Sequence, residues 1–142
     1  MRSAKMYVVI GLTILGLCLS CTAIASEEKE NKAVKAAEEW LTLVDGGKYN
    51  ESWETAAVYF KNSITKANWS QALTGVRKPL GKMVSREVKS KIYTASLPGA
   101  PDGEYVVIRF VTSFENKKSA IETITPMLDR NDKWRVSGYY IK

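Results

Sequence analysis

An α+β domain is expected, with three N-terminal helices packed on a four-stranded antiparallel sheet. Two observations predict it. Apolar residues recur at three- and four-residue steps up to about Val76 and alternate from Val84 onward. Turn signals then divide the second half into four strands: Pro98-Gly-Ala-Pro-Asp-Gly103, Asn116-Lys117 and Asn131-Asp132.

The first 25 residues read as a leader rather than as part of this domain. Arg2 and Lys5 precede an apolar run from Met6 to Ser20, and Ala23-Ile24-Ala25 supplies a small-x-small cleavage site before the acidic stretch that starts at Ser26. A signal peptide over 1–25, cleaved between Ala25 and Ser26, leaves one domain over 26–142 that is periplasmic or secreted. Leu19-Ser20-Cys21 also approaches a lipoprotein box, so a membrane-anchored form lipidated at Cys21 is the alternative. Retention of Met6–Ala25 as an anchor is disfavoured by its Gly, Ser and Thr content. Loss of Arg2 and Lys5 would lower the formal charge from +6 to +4.

The first helix spans about Glu28 to Asp45, with Val34, Ala37, Trp40, Leu41 and Val44 on one stripe and Gly46-Gly47 as its stop. A second begins at Asn50 and carries Trp53, Ala56, Ala57, Phe60 and Ile64. A third bears Trp69, Leu73 and Val76 and ends at Pro79-Leu80-Gly81. Strands follow from Val84 to Leu97, from Glu104 to Phe114, near 118–129 and near 133–141.

With hairpin tips at Asn116-Lys117 and Asn131-Asp132, strand parity sorts the sheet into two faces. The apolar, helix-facing side would hold Val106, Ile108, Phe110 and Phe114, then Ile121 and Met127, then Trp134, Val136 and Tyr140. The open side would hold Arg109 across from Ile124, with Glu122 diagonal to it and Tyr139 across from Ile124.

Several stretches resemble a bacterial exported family known as a domain of unknown function (DUF4019). They are Trp40-Leu-Thr-Leu-Val-Asp-Gly-Gly-Lys-Tyr49, Ser52-Trp53, Ala56-Ala57, Trp69, Arg77-Lys-Pro-Leu-Gly81 and Ser85-Arg86. The likeness continues through Leu97-Pro-Gly-Ala-Pro-Asp-Gly-Glu-Tyr105, Glu122-Thr-Ile-Thr125 and Trp134-Arg-Val-Ser-Gly-Tyr-Tyr140. The resemblance implies a secreted or periplasmic single domain with a cystatin-like or NTF2-like cone, its helices wrapped by a curved sheet. It implies no activity, cofactor or catalytic residue.

Composition limits the chemistry. The chain has no histidine, and its two cysteines, Cys18 and Cys21, both lie in the leader. Histidine-activated nucleophiles, histidine metal sites and thiol chemistry are therefore not expected of the mature domain. We assign no catalytic residue, metal or cofactor.

Three sets of residues are candidates for binding. Arg109, Glu122 and Tyr139 would grip an anionic ligand on the open face, or form an ordinary cross-strand ion pair. Trp40, Trp53 and Trp69 would line an apolar cavity, or serve as core. Arg77, Lys78, Lys82, Arg86, Lys89 and Lys91 would form a basic patch, or the solvated side of an edge strand. The expected function is a non-enzymatic exported binding or interaction domain for a small apolar or anionic ligand or a protein partner. The open face is also a possible homodimer surface. Nucleic acid is not an expected partner. Membrane association is expected only through a lipidated Cys21 or an uncleaved leader. The competing reading is a small-molecule isomerase or lyase with a buried carboxylate and a tyrosine in its cavity.

Overall fold

The computed structural model describes residues 18–142, with side-chain environments from Cys21 onward. The basic start and most of the apolar run of the expected leader lie outside the described residues. The architecture is α+β, as expected: helices cover one face of a curved four-stranded antiparallel sheet of order β1-β2-β3-β4. The helices number four among the described residues, not three.

Helix α1 runs from Cys18 to Asp45, ten residues earlier than the apolar stripe suggests. Its buried stripe starts only at Ala33 and continues through Ala37, Trp40, Leu41 and Val44. Gly47 ends it in the left-handed region at φ +73°, where the following Lys48 N–H donates to the Leu43 carbonyl.

The expected second helix is broken into α2 (Tyr49–Glu54) and α3 (Val58–Ser63). The periodicity of Trp53, Ala56 and Phe60 is real, but tertiary hydrogen bonds outcompete the helix ladder. Ala57 N–H donates to the Val136 carbonyl at 2.8 Å, and Val58 N–H to Asp129 Oδ2 at 3.0 Å. Two donors that a continuous helix would use internally are thus spent on the sheet. Helix α4 (Lys66–Leu80) is capped by Thr65, whose hydroxyl accepts from Asn68 N–H.

Strands β1 (Met83–Thr94), β2 (Tyr105–Phe114), β3 (Lys117–Asp129) and β4 (Lys133–Ile141) form a meander. The turn between β2 and β3 is Glu115-Asn116, one residue before the expected tip, because Phe114 pairs with Lys117. The end of α4 supplies the reason. Its unpaired terminal carbonyls draw Asn116 onto themselves: Asn116 N–H donates to Leu80 at 2.9 Å and its side-chain amide to Pro79 at 3.0 Å. Gly81 is required at this contact, since it sits at φ +74° and a Cβ there would lie 2.9 Å from Glu115 Oε2.

A bulge between Thr112 and Phe114 then sets Arg109 across from Thr123 instead of Ile124. That single step turns β3 over. Ala120, Glu122, Ile124 and Pro126 face the helices, whereas Ile121 and Met127 do not, correcting the expected assignment. A second bulge between Thr125 and Pro126 restores the expected pairing of Ile124 with Tyr139. Trp134 and Val136 stay on the helix side, but Tyr139 joins them in place of Tyr140, which is 50% exposed.

Candidate functional site

Glu122, Ile124 and Tyr139 share a face as expected, but it is the covered one. Arg109 lies on the opposite, exposed face across from Thr123, so the proposed Arg109–Glu122 pair does not exist. The partner of Glu122 is instead Arg86. Arg86 stands opposite Thr112 on β1 and points into the interior, with Glu122 diagonal to Thr112 on the same face. Arg86 Nε donates to Glu122 Oε1 at 2.7 Å, and Thr112 Oγ1 donates to the same oxygen at 2.5 Å. Tyr139 OH donates to Glu122 Oε2. Both carboxylate oxygens are therefore engaged, and Glu122 is 0% exposed.

The other end of Arg86 grips Asp45, the last residue of α1, through Nη1 at 2.7 Å and Nη2 at 2.9 Å. Arg77 of α4 adds a third bond to Asp45, from Nη2 at 2.7 Å, and its guanidinium lies over the Phe114 ring at 4.9 Å. Two arginines and two carboxylates thus tie α1, α4, β1 and β3 together, with Thr112 and Tyr139 adding β2 and β4. A carboxylate at a helix C-terminus is unfavourable to the macrodipole, and the two guanidinium groups offset this.

The electrostatics follow from burial and pairing. Burial opposes charge on Asp45, yet hydrogen bonds and charges from Arg86 and Arg77 overcome it and hold its pKa below the ordinary carboxylate value. Arg86 loses hydration in the same way, and bonds to Asp45 and Glu122 leave it an even weaker acid than usual. Desolvation and then the Glu122 charge push Tyr139 well above the usual phenol range.

A pH dependence follows from Asp45. Its folded pKa is depressed, so its contribution is present above the ordinary value of 3.8 and is lost as pH falls through the folded pKa. Urea unfolding should show lower stability at pH 3 than at pH 6, with a smaller difference in Asp45→Asn. An unchanged pH difference in that variant would remove Asp45 from the account.

The basic patch is split by this inward turn. Arg77 and Arg86 belong to the interior cluster. Lys91 is half-buried and bonded to Asn31, which leaves Lys78 on α4, Lys82 in the connection to β1 and Lys89 on β1 exposed. The mark of an inward Arg86 in the strand is weak: it is in phase with Val84 and Val88, which are themselves exposed. Asp45 and Arg77 carried no comparable mark, because their meeting depends on how α1 and α4 are placed.

Trp40 and Trp69 are core residues. Their ring centroids lie 6.0 Å apart, Tyr139 packs edge-on to Trp40 at 5.5 Å, and Phe60 packs edge-on to Trp69 at 4.8 Å. Both indole N–H groups are satisfied at Ser52, Trp40 by its carbonyl and Trp69 by its hydroxyl. Trp53 is only partly buried. Its N–H donates to the Ile64 carbonyl, and Lys61 and Lys66 flank its ring.

Of the grooves outside this filled interior, two bear on a binding role. One, of about 490 Å³ between α1 and β4, has walls of mixed charge from Glu39, Glu54, Lys133 and Arg135 beside Trp40 and Trp134. The other, of about 200 Å³, runs between α4 and the edge strand β4 and is apolar. Trp69, Ala72, Leu73 and Val76 form its helical wall, and Tyr139, Tyr140 and Ile141 its strand wall. Among the described residues no three carboxylate or thiol groups converge as metal ligands, and no helix is long and apolar enough to cross a membrane.

These features define a small α+β domain whose helix–sheet interior is closed by an ion-pair cluster and an aromatic stack, with its concavities at the surface. The chain belongs to the family described as Protein of unknown function (DUF4019), which it matches over residues 36–139. That span contains the whole cluster from Asp45 to Tyr139. None of the curated proteins matches the sequence.

Proposed function

We propose that this protein is an exported, non-enzymatic binding domain that takes a small ligand in the apolar groove between α4 and β4. The observation that carries the reading is the division between interior and surface. The interior is filled by Trp40, Trp69, Tyr139 and the Glu122 cluster, while Val76 (46% exposed) and Tyr140 leave an apolar concavity open to solvent. Concave apolar surface with a few polar groups nearby is the usual form of a small-molecule site.

The catalytic alternative has one observation in its favour, the hydrogen bond between Tyr139 and the buried Glu122. A proton-abstracting carboxylate must reach substrate, however, and the oxygens of Glu122 are already engaged by Arg86, Thr112 and Tyr139. Binding is the better-supported role.

A thermal-shift screen of small apolar compounds tests it, with Ala72→Trp as the control that fills the groove. A ligand at 100 times its Kd should stabilise the wild type by about 2.7 kcal/mol. The same ligand should leave the melting temperature of Ala72→Trp unmoved. If no compound separates the two proteins, the groove is not the site.

Export is supported by the order of residues 1–26 and by where burial begins. Residues 21–25 are exposed, and the first buried side chain among those described in α1 is Ala33, so cleavage after Ala25 would leave the described core intact. Intact-mass analysis of protein from a bacterial envelope fraction should find a chain starting at Ser26. A diacylglyceryl group on Cys21 would establish the lipoprotein form instead.

A further inference from the structure

We infer that the end of the domain where α4 meets the β2–β3 turn docks on the surface of a bilayer that carries anionic phospholipid. Strand order defines this pole: β1 and β3 begin there, and β2 and β4 finish there. Met83 pairs with Phe114 and Phe114 with Lys117, and Lys142 exchanges both backbone hydrogen bonds with Ile121. The end of α4 is fastened to the same place through Asn116, and Glu115 N–H donates to the Lys82 carbonyl at 2.9 Å. Lys78 and Lys82 are thereby joined by Lys117, Lys118 and Lys142 from the second half of the chain, and all of these are exposed.

Their charge is not neutralised. None of these lysines has a carboxylate partner among the described residues, and Glu115 in the turn is the acid that lies among them. Lys78, in the last turn of α4, also suits the helix dipole. Lys82, Lys117 and Lys118 sit outside any helix, so the dipole does not account for them.

Apolar side chains interrupt the lysines. Val84, at the bulge that opens β1, is 65% exposed, and Val76 near the end of α4 and Tyr140, whose ring lies beside the Lys142 ammonium, are exposed as well. The interface of a bilayer takes cationic side chains at its phosphates and apolar ones at the acyl boundary, whereas a soluble polyanion gives the apolar ones nothing. The pole docks whether or not the α4–β4 groove holds a ligand, although Val76 and Tyr140 wall that groove too. Nor does it depend on an anchor at Cys21. Helix α1 passes Glu104, bonded to Lys29 at the far end of the sheet, before it reaches Asp45 beside Arg77, so its N-terminus lies away from the lysines.

Vesicle flotation of the chain as recovered from a bacterial envelope tests the inference. One set of vesicles is phosphatidylcholine alone, and the other carries about 30% phosphatidylglycerol. At low salt, partitioning to the anionic set is expected to be at least about tenfold stronger, and to fall steeply at about 1 M salt. An uncleaved leader or a lipid on Cys21 would add to both sets. Lys117→Glu/Lys118→Glu should weaken the anionic binding at least about thirtyfold. Lys35→Glu/Lys133→Glu makes the same change in net charge away from the pole and should leave binding within about threefold. Val84→Ser should weaken it about threefold or more without changing its salt dependence. All of these positions are exposed, so the variants should fold. No preference for anionic vesicles, or equal losses in the two lysine pairs, would overturn the inference. Binding that needs Lys117 and Lys118 but ignores Val84→Ser would assign the pole to a soluble polyanion and overturn the bilayer.

Discussion

Arg86→Met is expected to destabilise the domain by about 3–5 kcal/mol, among the largest effects of any single substitution. Methionine roughly replaces the aliphatic stem, so little volume is lost. What is lost is the counter-charge of Glu122, which is 0% exposed and would retain only the Thr112 and Tyr139 hydroxyls. Asp45 loses two of its three bonds but keeps Arg77 and some access to water. The double variant Arg86→Met/Glu122→Leu removes the stranded charge and should be more stable than Arg86→Met alone. Urea unfolding of the wild type, both single variants and the double measures this cycle. A loss below about 1 kcal/mol for Arg86→Met, or simple additivity in the double, would mean that the pair contributes little.

Trp69→Ala should cost a comparable amount, about 3–5 kcal/mol, by opening a cavity where three aromatic neighbours meet. The ring touches Trp40, Phe60 and Tyr139, and its N–H is held by the buried Ser52 hydroxyl. Trp53→Ala is the internal comparison. Trp53 is partly exposed and packs against the edge of the core between two lysines, so its loss should be clearly smaller. Thermal and urea unfolding of the two variants checks the order. Equal losses would mean that the Trp40–Trp69–Tyr139 stack is not the centre of the core.

Much of the fold is legible in the chain itself. Ala37, Trp40, Leu41 and Val44 mark the buried stripe of α1, Gly46-Gly47 its stop, and Pro79-Leu80-Gly81 the end of α4. Alternation marks the strands, and Val106, Ile108, Phe110 and Phe114 are the buried side of β2. These are local properties, since period and backbone preference act within a few residues. The candidate site was less legible. Glu122 and Tyr139 were singled out, but with Arg109 as their partner and on the wrong face of the sheet.

The sequence by itself determined the α+β class, the order of elements and the membership of most apolar residues in the core. Tertiary structure decided which way β3 faces. The carbonyls that end α4 hold Asn116, the turn therefore closes one residue early, and the bulge beside it sets the register of the whole strand. Because side chains alternate with a period of two, a shift of one residue moves Glu122 from solvent to the interior. Asp45, Arg77 and Arg86 join it there through hydrogen bonds that each span 32 to 41 residues of chain, a convergence that no local pattern encodes.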